Sequence, residues 1–172
     1  KSCFIAGMGS VGKKLSIVLE ALGMNIIGKK KFKFDKNKKH QFLKCIEKAD
    51  FIVNLLPLTK KTKKIFDKKA ISKIGKKSFF INIRRGETVD EKYLIYSLKN
   101  KKIAGAALDV FAKEPLSANS ELFKLNNVLI TPHIAGVSKN YWEKQIHLFD
   151  HNLSCFLKKK YKGMKNRILK FD

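Results

Sequence analysis

The stretch Cys3-Phe4-Ile5-Ala6-Gly7-Met8-Gly9-Ser10-Val11-Gly12 decides how the rest of the chain is read. An apolar run ends in Gly-x-Gly-x-x-Gly, and a helical pattern follows at Val11, Leu15, Val18, Leu19 and Leu22 until Gly23 stops it. Strand, glycine turn and helix in that order form a cradle for phosphate. Gly7 permits the tight turn, Gly9 lets the backbone approach a pyrophosphate, and Gly12 lets the helix pack closely on the strand. The helix opening at Ser10 and Val11 offers unpaired N–H groups and the positive end of its dipole. Gly7, Gly9, Ser10, Val11 and Gly12 are therefore the candidate dinucleotide-binding positions.

Working outward, the rhythm repeats. Strands are predicted over Cys3–Ala6, Met24–Ile27, Phe51–Leu55, Ser78–Ile83, Ile103–Leu108 and Val128–Thr131. Several are continuous apolar runs, as a parallel sheet covered on both faces requires. Helical patterns fall between them, one opened by Asp90 and running through Tyr93, Leu94 and Leu98, and a long one over Trp142–Leu157. The prediction is a doubly wound α/β domain over residues 1–150, with 151–172 a C-terminal helix and tail. The Lys-rich stretch Lys29–Lys39 reads as a loop.

Composition narrows the function. The 172 residues carry 38 Lys and Arg against 14 Asp and Glu, a formal charge of +24, yet 44% are hydrophobic, which excludes a disordered chain. Only Arg84, Arg85 and Arg167 are arginines, whereas nucleic-acid readers favour Arg and exposed aromatics. A compositional lysine bias explains the charge, and a nucleic-acid partner is not expected. No apolar run approaches the roughly 20 residues of a membrane helix. The scattered Cys3, Cys45 and Cys155 suit a reducing compartment and offer neither a disulfide framework nor a metal site.

The second strand bears on which dinucleotide binds. An NAD site places an Asp or Glu at that strand's end to bind the ribose 2′-hydroxyl. Here Ile27-Gly28-Lys29-Lys30-Lys31 contains no acid, and none appears before Asp35. Lys30 stands near where the acid would be, and Lys30 and Lys31 would attract a 2′-phosphate. NADP is favoured over NAD.

Four further segments carry a family resemblance. They are Asn54-Leu55-Leu56-Pro57-Leu58-Thr59; Ile81-Asn82-Ile83-Arg84-Arg85-Gly86-Glu87-Thr88-Val89-Asp90-Glu91; Ala104-Gly105-Ala106-Ala107-Leu108-Asp109-Val110-Phe111-Ala112-Lys113-Glu114-Pro115; and Ile130-Thr131-Pro132-His133-Ile134-Ala135-Gly136. With the glycine loop they run in the order of the nucleotide-binding domain of the D-isomer-specific 2-hydroxyacid dehydrogenases, which the chain resembles across most of its length. The resemblance implies a Rossmann-type fold and a hydride transfer between NAD(P)H and a small 2-oxo acid. It makes Arg85 the binder of the substrate carboxylate and carbonyl, and Glu114 and His133 an acid–base pair that protonates the carbonyl oxygen. The chemistry suits those types: imidazole exchanges a proton near neutral pH, a carboxylate orients it, and guanidinium binds a 2-oxo acid through two atoms. By the same resemblance Asp109 stands near the nicotinamide carboxamide, and Leu56, Pro57, Ile83 and Arg84 line the cofactor. Arg84 departs from the small residue usual there.

The resemblance further implies that most of the substrate domain lies outside this sequence, with Trp142–Leu157 crossing back toward it and Met164–Asp172 belonging to it. A cytoplasmic homodimer reducing glyoxylate or hydroxypyruvate is the expected whole. A phosphoglycerate dehydrogenase-like enzyme and a catalytically idle cationic nucleotide- or nucleic-acid-binding module remain the alternatives.

Overall fold

The structure, a computed structural model, describes residues 1–28 and 39–167. It forms two compact units, Lys1–Ala135 and Gly136–Asp172. In the first, all six predicted strands appear: β1 (Ser2–Ala6), β2 (Asn25–Ile27), β3 (Phe51–Asn54), β4 (Phe79–Asn82), β5 (Gly105–Leu108) and β6 (Val128–Ile130). They pair in parallel in the order β2-β1-β3-β4-β5-β6. The order reverses between β1 and β3, so the carboxyl ends of those two strands flank the crevice where a doubly wound sheet receives its ligand.

Helices connect the strands: α1 (Ser10–Ala21), α2 (Lys39–Glu47), α3 (Lys68–Ile71) and α4 (Glu91–Lys99). Asp67 caps α3 by accepting from the Ala70 N–H, and Asp90 caps α4 by accepting from the Tyr93 N–H. The sequence pattern missed α2 and α3. α2 buries only Phe42, Leu43 and Ile46 among cations, and α3 spans a single turn, too short for periodicity to reveal.

Side chains alternate across the sheet. Phe4, Ile52 and Phe80 face the larger core with Phe42, Ile46, Ala70, Ile71, Leu94 and Leu98 from α2, α3 and α4. Cys3, Ile5, Ile26 and Val53 face the smaller core under α1. Phe4, Phe42, Phe66 and Phe80 chain edge to face through the larger core, with centroids 5.5, 5.3 and 5.0 Å apart in turn.

The apolar stripe expected on α1 is corrected by the structure. Leu15 and Leu19 pack inward, but Val11, Val18 and Leu22 are 58%, 56% and 72% exposed, while Gly12 and Ser16 are buried against the sheet. The cause is close approach. A Cβ on Gly12 would stand 2.2 Å from the Gly7 carbonyl oxygen, so α1 meets the sheet through its small residues and turns part of its apolar stripe outward.

The second unit contains α5 (Tyr141–Leu157), the long helix expected over Trp142–Leu157; residue 150 falls within it, and it buries no residue completely. Among the described residues no helix is long and apolar enough to cross a membrane.

Candidate active site

The loops leaving the carboxyl ends of the strands, with the first turn of α1, carry every described candidate. After β1, Gly7 adopts φ +119°, and the chain turns through Met8 and Gly9 into α1. A Cβ on Gly9 would meet nothing within 4 Å, so the space beside it is open to a ligand. Gly9 is the N-cap residue and makes no side-chain cap bond, and the first turn of α1 holds no acid. Its N–H groups and dipole are thus directed outward without a competing carboxylate, which suits a pyrophosphate. Lys30 and Lys31 lie outside the described residues.

After β3, Leu56 is 3% exposed and packs into the larger core, and Pro57 lies at the surface, its carbonyl accepting from the Thr62 hydroxyl at 2.5 Å. After β4, Ile83 is half-buried, and Arg84 and Arg85 are exposed. Gly86 follows in close contact with the next loop, since a Cβ there would come within 1.9 Å of the Phe111 carbonyl carbon. No other residue fits after Arg85. The Arg85 guanidinium donates through Nη1 to the Arg84 carbonyl at 2.8 Å.

After β5 and β6 come Glu114 and His133, which meet. His133 Nδ1 lies 2.7 Å from Glu114 Oε2, both residues exposed. Because the carboxylate accepts, Nδ1 carries the hydrogen, which leaves Nε2 as the ring nitrogen able to exchange a proton with another group. Glu114 is itself held, since Oε1 accepts from the Phe111 N–H at 3.0 Å. Partial burial works against its charge, but the bonds from His133 and Phe111, with the charges of His133 and Arg85, keep its carboxyl below the usual range. The charges of His133 and Arg85, far from Glu114 in sequence, thus both act on its carboxylate.

His133 adopts φ +55°, a left-handed backbone uncommon outside glycine. Asp109 holds it there. The Asp109 carbonyl accepts from the His133 N–H at 2.9 Å, and its carboxylate accepts from Thr131 Oγ1 at 2.5 Å, Ile134 N–H at 2.8 Å and Ala135 N–H at 2.9 Å. Burial opposes the charge on Asp109, yet these donors and nearby His133 hold its pKa below the ordinary value. Asp109 therefore braces the histidine loop, a role the sequence did not disclose.

Sequence reasoning also missed Asn54, Asn82 and Thr88, three buried polar side chains that bond to one another beneath the Arg85 loop. The available signal was an asparagine ending each of two apolar strand runs. Among the described residues no group of acidic, His and Cys side chains is placed to hold a metal ion.

A doubly wound sheet with a glycine turn at its switch point has the architecture of a dinucleotide-binding domain, and here a His–Glu pair stands on its neighbouring loops. Residues 1–135 match the family model described as D-isomer specific 2-hydroxyacid dehydrogenase, NAD binding domain. The chain belongs to that family. It is 35% identical over 162 residues to a glyoxylate reductase of Pyrococcus horikoshii, covering 91% of this chain and 48% of that protein. It is 48% identical over 97 residues to a probable 2-ketogluconate reductase of Dictyostelium discoideum, covering 56% of this chain and 29% of that one. Its fold matches an NADPH-dependent glyoxylate/hydroxypyruvate reductase of Sinorhizobium meliloti, solved with NADP and malonate, with a TM-score of 0.80 and 27% identity over 98% of this chain and 56% of that one. The chain spans about half the length of the glyoxylate reductases it matches.

Proposed function

We propose that this chain is the nucleotide-binding half of an NAD(P)-dependent D-2-hydroxyacid dehydrogenase that reduces glyoxylate or hydroxypyruvate. The observation that carries the reading is the 2.7 Å bond between His133 Nδ1 and Glu114 Oε2, on a carboxylate whose charged form the Arg85 guanidinium favours. The glycine turn, with its open space at Gly9 and uncapped helix start, fits a dinucleotide, whose nicotinamide supplies the hydride when bound. Arg85 binds the substrate carboxylate and polarises its carbonyl. His133 gives a proton from Nε2 to the carbonyl oxygen as the carbon receives hydride, and Glu114 stabilises the imidazolium and fixes its tautomer. In the oxidising direction the same atoms take the proton back.

Lys30 and Lys31 favour NADP, and the NADPH-dependent relative agrees with that preference. Arg84, exposed beside Arg85, would line the cofactor, and Asp109, 2% exposed with its carboxylate bonded to Thr131, Ile134 and Ala135, would shape the nicotinamide side through the loop it braces. Residues outside this chain complete the substrate cleft, so the chain alone binds cofactor and turns over little. The whole protein is read as a cytoplasmic homodimer, and the three scattered cysteines of this chain suit a reducing compartment.

Calorimetric titration of the chain with NADPH and NADH tests the cofactor. Tighter NADPH binding, weakened by Lys30→Ala with Lys31→Ala, is expected, and equal or tighter NADH binding would remove the NADP preference. In the whole protein, His133→Asn should lower kcat for glyoxylate about 10²- to 10⁴-fold, the usual worth of a positioned general acid. An unaffected kcat would overturn the mechanism.

A further inference from the structure

Asn54 and Asn82 end β3 and β4 in register with each other. They are 0% and 1% exposed, and Thr88 is 0% exposed. Three buried polar side chains are costly unless fully bonded. Here they are. Asn54 Nδ2 donates to Asn82 Oδ1 at 3.0 Å and to Thr88 Oγ1 at 2.7 Å, and Asn54 Oδ1 accepts from the Leu56 N–H at 3.2 Å. Asn82 Oδ1 also accepts from the Arg84 N–H at 3.3 Å, and Asn82 Nδ2 donates to the Arg85 carbonyl at 3.2 Å. The Thr88 hydroxyl donates to that same carbonyl at 2.6 Å.

The polarity of this cluster admits one arrangement. A carbonyl only accepts, so the Thr88 hydrogen points at Arg85 and the Thr88 oxygen must accept from Asn54. That orients the Asn54 amide, which in turn requires an acceptor from Asn82 and leaves the Asn82 amino group facing Arg85. Two side-chain donors therefore converge on one backbone oxygen, which also accepts from the Thr88 N–H at 3.4 Å.

We propose that Asn54, Asn82 and Thr88 are positioning residues that aim Arg85 at the substrate. The Arg85 carbonyl is held by both donors, its backbone is extended at φ −151° and ψ 129°, and Gly86 is pressed against Phe111 on the far side. The main chain is clamped around the Arg85 Cα, so only side-chain torsions remain for the guanidinium to find a carboxylate. The cluster's other end holds the Leu56 N–H, so the loops after β3 and β4 are tied to one support. The inference rests on reading Arg85 as the substrate-binding arginine.

The test is steady-state reduction of glyoxylate with NADPH by the whole protein, with NADPH affinity measured separately. Thr88→Val keeps the shape and removes the hydroxyl. The KM for glyoxylate is expected to rise about tenfold, as when a buried partner is lost, with a smaller change in kcat and unchanged NADPH affinity. Thr88→Ser, which restores the hydroxyl, should return KM toward wild type. A purely structural role would lower thermal stability and leave KM alone. If Thr88→Val does not fold, Asn82→Asp carries the test, because it keeps the acceptor but turns an oxygen toward the Arg85 carbonyl. An unchanged KM in folded variants overturns the inference while the functional reading stands. Wild-type protein that neither binds NADPH nor reduces glyoxylate overturns both.

Discussion

Phe79 and Phe80 are neighbours on β4 and point to opposite faces of the sheet. Phe80 is 0% exposed and meets Phe66 edge to face at 5.0 Å; Phe79 is 42% exposed and stacks on Phe51 at 5.6 Å. The face beneath Phe80 is closed by α2, α3 and α4. The other has α1, which packs on β1 and β2 through Leu15, Leu19 and Ile26. Farther along that second face Leu129 on the edge strand β6 is 66% exposed, in register with Ala107 and through it with Ile81. Parallel sheets are ordinarily buried on both faces. The contrast separates a face that this chain finishes alone from one that it finishes only in part.

The sharpest way to break that contrast is to remove the two rings separately. Phe80→Ala should cost about 3–5 kcal/mol, the usual loss for a large ring in a packed core that cannot collapse. That is a large part of the roughly 5–15 kcal/mol that holds a domain folded, so the chain should melt far lower or fail to fold. Chemical denaturation followed by circular dichroism measures it. A cost below about 1 kcal/mol would mean that the aromatic chain through Phe4, Phe42, Phe66 and Phe80 is not the centre of the fold.

The closed face was the part legible in sequence. Continuous apolar runs at Phe51–Leu55 and Ser78–Ile83 announced strands buried on both sides, and the glycine turn placed the cofactor end. The open face was not legible, because Phe79 and Leu129 are as apolar as Phe80 and pattern alone does not say which face lacks a helix. The α1 stripe failed for a related reason: hydrophobicity marked Val11, Val18 and Leu22, but backbone approach at Gly12 decided which side met the sheet. At the candidate site, Arg85, Glu114 and His133 were read from the family resemblance that their motifs carry, which is visible in one dimension. Asn54, Asn82, Thr88 and the bracing role of Asp109 depend on which strand ends lie side by side, and that appears only once β3, β4, β5 and β6 are paired.

Phe79→Ala is the matching test on the second face. It removes a stacked pair and part of a half-covered ring, and Phe79 also lies over Gly105, where a Cβ would meet its ring at 3.2 Å. In this chain the expected cost is about 1–2 kcal/mol, an aromatic pair plus partial burial. The two variants, differing by one position in sequence, should therefore separate by at least one further kcal/mol or so. Equal costs would show that the second face is as tightly packed as the first.

Leu129→Lys should have the smallest effect and the most informative context dependence. At 66% exposure on an edge strand, the side chain gives up little buried area, and a lysine there keeps its ammonium in water. In this chain the stability change should stay within about 0.5 kcal/mol, as for most surface substitutions. In the whole protein, any element that covers the face over β4–β6 would have to bury that cation or lose the contact, and either costs far more than the leucine it replaced. A neutral result in both contexts would mean that the face stays open to water and that exposure at Phe79 belongs to the finished protein. A substitution neutral in the chain and damaging in the whole protein would identify Leu129 as part of the surface on which the remaining residues pack.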